Sequence, residues 1–414
     1  MRYISIFLFF LLTGLVLTSY NAQGQSGPGG IGDATTNKLW LRADDIHLSD
    51  GDAIETWADT SGNDNDAVQS TGTYQPVFDS IADNGLPAVY FDGSDDLYEN
   101  LFTITNEYIT IYSVIARGNK NTNGPIYETA GNINSNNQGL FTNWSNRTYL
   151  AMSSGSEIFN PTPFNEGEYN IITAWHTNND NKLFKNGSFI NPSTNNNSEL
   201  LIGEFNIGVR HNNNDYYKGD ISELIFFNYP LDTVERIIVN NYLAAKYGIS
   251  ISNDKYDYDN NFGNDVAGIG QDVHGNSHTE AQSAKIFSVS DPTGLDDDEY
   301  LIFGHNDSSL AWSSEETPNA GYTQRMKREW RITRDNVGEV TVKLDTSLLQ
   351  DKPANYTDYV VWIDRNYDGD DDFSTGSVEQ HFLTLNNGQY EISGISFNDG
   401  DYVTFGVIRS VQLT

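Results

Sequence analysis

Beyond its N-terminus this chain has only short apolar runs, rich in β-branched and aromatic residues and closed off by Gly, Asn or Asp. "LPAVYFDG", "YITIYSVIAR", "YNIITAWHT", "KLFKNGSFI" and "DISELIFFNY" are of this kind. Such runs between turn formers predict strands. Alternation in "ISELIFF" places Ile221, Glu223, Ile225 and Phe227 on one face, and Ser222, Leu224 and Phe226 on the other. Both faces are largely apolar, which predicts an inner strand of two stacked sheets. In "KNGSF", Asn186 and Gly187 supply the positive φ angles of a tight hairpin.

One stretch breaks the pattern. "LDTVERIIVNNYLAAKYG" repeats Val234, Ile237, Ile238, Tyr242 and Ala245 at helical spacing. Asp232 is a good N-cap, Glu235 completes a capping box, and Gly248 is a natural stop. A domain boundary is therefore expected near residue 250. Past it, "DVAGIGQD", "KIFSVSD", "EYLIFGHN", "KREWRITR", "EVTVKLD", "DYVVWID" and "DYVTFGVI" predict a second sandwich. The expected fold class is all-β, with one sandwich over residues 38–250 and another over 251–414. "SGPGGIGD" lies in residues 26–37 and is expected to be a flexible lead-in.

The N-terminus predicts export. Arg2 is followed by the apolar "ISIFLFFLLTGLVL" and by "SYNAQGQ", whose small and polar residues suit cleavage between Ala22 and Ser26. The run falls short of the ~20 residues that span a bilayer. Residues 1–25 are thus expected to be a signal peptide, and the mature chain to be secreted or at the outer cell surface, without membrane insertion. The absence of cysteine excludes disulfides and thiol chemistry. A formal net charge of -34 repels phosphate backbones and argues against a nucleic-acid partner.

"LWLRADDI", "DGDAIETWADTSGNDNDAVQ" and "PAVYFDGSDDL" resemble the opening of a LamG-like jelly roll of the concanavalin A-like lectin/glucanase superfamily. "YKGDISELIFFNYPLDTVERIIVNNYLAAKYGI" resembles its closing strand and helix. "YDYDNNFGNDVAGIGQD", "DDDEYLIFGHN", "MKREWRITR" and "VVWIDRNYDGDDDF" resemble a second module of unknown function, DUF8202-like, found in secreted or surface bacterial proteins. The resemblance implies a jelly-roll sandwich followed by that module. Some relatives of the jelly roll bind calcium at the rim, which makes Asp59 and Asp92 possible ligands. Many relatives end in a sorting domain for type IX secretion. "GVIRSVQLT" closes just after a strand without one, so the chain is expected to be either released or a truncated form of a longer protein.

"DRNYDGDDDF" crowds carboxylates after an apolar run. Asp364, Asn366, Asp368, Gly369 and Asp370 follow the calcium-loop spacing D-x-[DN]-x-[DN]-G, in which alternate oxygens converge on one ion. Thr375 stands where an EF-hand has its bidentate Glu, and the flanks read as strand. This predicts a strand-loop calcium site with Asp372 and waters completing the shell. A solvated acidic turn is the plainer alternative. "WADTSGNDNDA" reads as a core tryptophan, Trp57, followed by an Asx-type turn at Asp59 and Ser61.

Catalytic signals are sparse. No E-x-D-x-E string, H-E-x-x-H, G-x-S-x-G or phosphate loop occurs. Asp220 and Glu223 in "GDISEL" are three apart, hence on opposite faces of a regular strand, whereas a retaining glycosidase needs its carboxyls roughly 5 Å apart. Sugar binding instead asks for aromatic rings beside amides and carboxylates. "FTNWSNRTY" and "HNNNDYY" carry both in expected loops, which nominates Trp144, Tyr149, Asn213, Asp215, Tyr216 and Tyr217. The leading expectation is a noncatalytic, calcium-stabilised extracellular module that binds a glycan or a surface protein. The alternatives are a glycoside hydrolase or lyase, and a structural spacer.

Overall fold

The computed structural model describes residues 27–409 except 100, 107, 120–123, 131–138, 145–146, 153–155, 161–163, 178–179, 191–200, 211–214, 320, 366–372 and 375–377. The described residues form an all-β molecule of two sandwiches separated by one long helix. In the first sandwich an eight-stranded sheet runs Ser188–Ile190, Asp180–Lys185, Tyr169–Thr177, Ile109–Arg117, Lys218–Phe227, Leu86–Asp92 and Val77–Asp83, with Asn37–Arg42 also paired to Lys218–Phe227. A six-stranded sheet runs Ser156–Asn160, Arg147–Met152, Gly139–Trp144, Pro125–Ala130, Leu201–Ile207 and Thr103–Asn106. Their inner faces bury Ile111, Ile115, Ile172, Phe205, Leu224 and Phe226 together. The second sandwich stacks a nine-stranded sheet, which includes Asn264–Gln271, Tyr300–His305, Trp330–Asp335, Tyr402–Arg409 and Tyr356–Asp364, on a five-stranded one. Phe287, Trp330 and Phe405 fill its centre.

The helix Thr233–Tyr247 starts and stops as its sequence requires. Asp232 accepts from the Glu235 N–H at 2.9 Å, Glu235 accepts from the Asp232 N–H at 2.9 Å, and Gly248 caps the end at φ 64°. Removing this cap with Asp232→Ala is expected to cost about 1 kcal/mol, read as a lower urea midpoint at unchanged m-value. The apolar spacing marks one face, yet Val239 and Leu243 on other faces are buried too. The reason is that the helix lies between both sandwiches. Trp40, Tyr112, Val114, Ile225 and Phe227 from the outer face of the first join it to Val266, Tyr300, Ile302, Trp362 and Tyr402 of the second in one cluster. A helix covered on two sides is apolar nearly all round.

The connection after the helix is held as well. Asn241 donates to the Asn253 carbonyl at 3.1 Å and accepts from the Lys255 N–H at 2.7 Å. The lead-in departs from expectation more sharply. Gly27 through Ile31 are buried, and Pro28–Gly30 forms a 3-10 turn packed on the helix and on Asn264–Gln271 and Glu280–Ser283. A glycine-rich segment reads as flexible by composition. Here its lack of side chains lets the backbone enter a narrow space. Among the described residues, no helix is long and apolar enough to cross a membrane.

Candidate functional site

The described residues gather carboxylates at the rim of the first sandwich. The strand Leu86–Asp92 ends where Asp92 pairs with Lys218. Gly93 then takes φ 81°, and the chain doubles back at once. The Ser94 N–H donates to Asp92 Oδ1 at 2.6 Å, and the Asp92 N–H to Asp96 Oδ2 at 2.6 Å. One oxygen from each of Asp92, Asp95 and Asp96 falls within 4.8 Å of the others. Two oxygens bound to one calcium at 2.3–2.6 Å can be at most about 5 Å apart, so this spacing fits a single ion. The donors are all hard oxygens, the set calcium prefers.

Neighbouring loops fix this corner. The Leu97 N–H donates to the Tyr74 carbonyl at 3.0 Å, and Tyr98 and Ile207 exchange bonds of 3.0 and 2.8 Å. Gly208 follows at φ 78°, where a Cβ would meet the Phe91 ring at 2.4 Å. Val209 bridges Tyr216, and Arg210 closes the loop through an ion pair to Asp215 at 3.2 Å. Tyr74 is 43% exposed and Tyr216 is half-buried. Burial raises the Tyr216 phenol above its usual range, and Tyr74, Asp95 and Glu99 add to the effect, which places them all within electrostatic reach. Asp96 is only 6% exposed, and burial lifts its carboxyl to about 7, with Asp92 and Asp95 adding to the shift. Burial and the two neighbouring carboxylates together disfavour the ionised form of Asp96.

The residues nominated from sequence are distributed differently from expectation. Tyr216 borders this rim, and Asp215 precedes it in the loop closed by Arg210. Tyr217 does not serve as a stacking surface: it is 1% exposed, its ring meets Phe91, and its hydroxyl donates to the Ala116 carbonyl at 3.0 Å. Its alternate position along the chain turns it into the core. Trp144 and Tyr149 lie in the strands Gly139–Trp144 and Arg147–Met152 rather than in a loop, with Tyr149 in register with Phe141 and Phe159. Asn213 lies outside the described residues, as do Asn366, Asp368, Asp370 and Asp372 of the acidic loop. Asp364 ends the strand Tyr356–Asp364, buried and in register with Tyr402 and Val378. Next to it, Arg365 bonds Asp401 at 2.5 Å and Glu379 at 2.9 Å.

Asp59 is accounted for within the protein. Its oxygens accept from the N–H groups of Trp40, Ser61 and Asn65 and from the Ser61 hydroxyl, at 2.8 to 3.0 Å. This is the Asx-type turn, beside a fully buried Trp57. Asp59→Ala would strand three backbone donors and is expected to destabilise by about 1–3 kcal/mol in a denaturant titration.

Asp220 and Glu223 correct the strand reading. A β-bulge falls between Ile221 and Glu223, so Asp220 stands opposite Ala116 and Glu223 opposite Val114. Those partners are two apart on one strand, which puts both carboxylates on the same face. The bulge also turns Ile221 inward with Leu224 and Phe226. The shared face is the outer one, and the helix covers it at Glu223. There Asp220 accepts from the Tyr169 hydroxyl at 2.9 Å, and burial raises it to about 6. Glu223 is 1% exposed and accepts from Trp40 Nε1 at 2.6 Å, Lys246 Nζ at 2.8 Å, and the Tyr242 and Tyr247 hydroxyls at 2.9 Å each.

That network reaches the second sandwich. Lys246 also bonds Asp44 at 2.8 Å, Arg42 pairs with Asp44 at 3.0 Å, and Arg42 lies 3.9 Å from Asp265. His305 Nδ1 accepts from the Asp307 N–H at 2.9 Å, and its Nε2 lies 3.2 Å from Asp265. Burial works against ionisation of Asp265, but His305, Arg42 and Lys246 bring its carboxyl down to about 2. A polar cleft of about 330 Å³ runs alongside, between Asn84, Lys246, Asn260 and His305.

Partial overlays connect this chain to several solved structures. Domain 4 of AbnA, a GH43 extracellular arabinanase from Geobacillus stearothermophilus in complex with arabinotriose, is 16% identical and has a TM-score of 0.36, over 50% of this chain and 97% of that one. Trypanosoma rangeli sialidase in complex with sialic acid is 11% identical with a TM-score of 0.37, over 55% of this chain and 36% of the sialidase. The Ruminococcus gnavus IT-sialidase CBM40 bound to alpha2,6 sialyllactose is 13% identical with a TM-score of 0.30, over 37% and 96%. No curated protein matches the sequence. The family match begins within the helix that joins the two sandwiches: residues 235–401 match the family described as Domain of unknown function (DUF8202).

Proposed function

We propose that this chain is a noncatalytic extracellular module that binds glycan through a calcium ion held at the rim of its first, LamG-like sandwich. The observation that carries this reading is the meeting of Asp92, Asp95 and Asp96 within one ion's span, beside Tyr74 and Tyr216. Three carboxylates leave part of a six- to eight-ligand calcium shell open. Vicinal hydroxyls of a sugar can enter those positions as neutral oxygen ligands. The tyrosine rings then offer apolar faces to the pyranose, and their hydroxyls remain able to hydrogen bond. Export through residues 1–25 would bring the module to a compartment where calcium is abundant enough for weak extracellular sites.

The noncatalytic part of the proposal rests on Asp220 and Glu223. Glu223 is buried under the helix with its oxygens occupied by four donors, and Asp220 accepts from the Tyr169 hydroxyl. The acidic loop from Asp364 to Asp372 is, in the same reading, a second calcium site that stiffens the other sandwich. A glycan array probed with mature protein tests the function directly. Binding in calcium that disappears in EDTA is expected, and Tyr216→Ala should weaken it on the order of tenfold. Failure to bind any glycan with calcium present, or binding indifferent to EDTA, would refute it.

A further inference from the structure

The segment Gly27–Ile31 is short, buried and wedged where three elements meet, and its fit depends on having almost no side chains. Gly29 and Gly30 take φ 74° and 85°, the left-handed region open to glycine. A Cβ on Gly30 would stand 2.9 Å from the Ala281 Cβ and 3.1 Å from its Cα. One on Gly29 would meet Ile238 at 3.1 Å, and one on Gly32 would meet the Phe227 ring at 3.1 Å. Ile31, 0% exposed, is the one large side chain, and it enters the same cluster as Trp40, Ile238 and Val266. The turn closes on itself through Gly27 N–H to the Gly32 carbonyl at 2.9 Å and Gly30 N–H to the Gly27 carbonyl at 2.9 Å. Clefts of about 230 and 450 Å³ flank it on either side. Past it, Asp33 to Thr36 form a turn that leads into the first sandwich, whose Trp40 and Phe227 also pack against the segment.

We infer that the groove between the helix and the strands Asn264–Gln271 and Glu280–Ser283 is a peptide-binding site specific for a Gly-Gly-Ile sequence, and that its occupant is this chain's own N-terminal segment, acting as a latch. Ile31 supplies the apolar anchor. The two left-handed glycines supply the selectivity, since every other residue meets both a backbone penalty and a collision. Because the segment packs on the helix and on Ala281 and Val266 of the second sandwich while also touching Trp40 and Phe227 of the first, a docked latch ties the two together. The contact is intramolecular, so a modest intrinsic affinity suffices to keep it closed.

The test uses the whole mature chain with a protease site placed in the Asp33–Thr36 turn. After cleavage, the released peptide is removed by gel filtration in urea below the unfolding transition. The stripped protein should then melt roughly 5 °C or more below the intact one. Adding the synthetic peptide SGPGGIGD in excess should restore the melting temperature, and the same peptide carrying Gly30→Val should not. If stripping leaves the melting temperature unchanged, if the native peptide fails to restore it, or if the valine peptide restores it equally, the inference is wrong. Should cleavage abolish folding, the uncut chain carrying Gly30→Val reads the same contact. It should melt lower and expose the 248–258 connection to protease, and an unchanged melting curve would overturn the latch.

Discussion

Glu223→Ala is expected to destabilise the protein by about 3–5 kcal/mol, the range for removing one partner of a buried ion pair. The side chains of Glu223 and Lys246 are 0% and 9% exposed. Removing the carboxylate leaves the Lys246 ammonium with Asp44 as its remaining ion-pair partner, takes the acceptor from the Trp40 indole and the Tyr242 hydroxyl, and leaves the Tyr247 hydroxyl with the Ser222 carbonyl at 3.3 Å. Each stranded buried donor carries its own desolvation penalty. Glu223→Gln keeps an acceptor oxygen of the same shape but turns an amide toward Lys246, so its loss should be smaller. A useful contrast is Glu280, which pairs with Lys343 at 2.9 Å but is 57% exposed. Glu280→Ala should change stability by less than about 1 kcal/mol. Urea titrations of the three variants check the ranking. Equal effects at Glu223 and Glu280 would show that the layer between the sandwiches is not held as described.

Stability should also respond to pH and calcium together. Asp96 in the folded protein sits at about 7, above the ordinary 3.8. Between those values the native state binds more protons than the unfolded chain, so stability falls as pH rises from about 4 to about 7. Asp220 and Asp401, each raised to about 6 by burial, act in the same direction. Calcium binds the ionised carboxylates and should reverse the loss above about pH 7, while doing little there at about pH 5. At a hundredfold excess over its dissociation constant, an ion contributes about 2.7 kcal/mol, or a rise of roughly 5–10 °C for a domain of this size. Asp96→Asn removes the titrating group and should flatten the part of the cation-free pH profile nearest 7. Melting curves across this pH range, with calcium and with EDTA, measure all of it. A calcium effect of equal size at about pH 5 and about pH 8 would contradict the role given to the rim.

Much of the architecture is legible in the residues themselves. Period-two runs such as Val340, Val342 and Leu344 become strands, and the Asp232–Glu235 box opens the helix where the pattern says it must. Three features are not legible, each for a physical reason. The bulge at Ile221–Glu223 inserts one residue into a ladder, and no local sequence signal distinguishes it from a regular strand. The burial of Gly27–Ile31 depends on a groove built by residues far along the chain, whereas composition alone favours flexibility. Tyr216 and Tyr217 are adjacent and chemically alike, yet one borders the rim and the other fills the core, because alternation in an extended segment decides which way each turns.

The rim itself is half visible. Asp92 stands out within "FDGSDDL", but only the tight turn at Gly93 shows that Asp95 and Asp96 come back to meet it. Tyr74 is invisible as a partner, since the link is a single backbone bond from Leu97 to its carbonyl.

The most direct measurement is a calorimetric titration of calcium into the mature protein and into Asp92→Asn with Asp95→Asn, at about pH 8, above the value of about 7 to which burial lifts Asp96. The variant should bind one ion fewer than the native chain and lose calcium-dependent glycan binding with it. Identical stoichiometry and affinity in the two proteins would contradict the assignment of the rim as the calcium and glycan site.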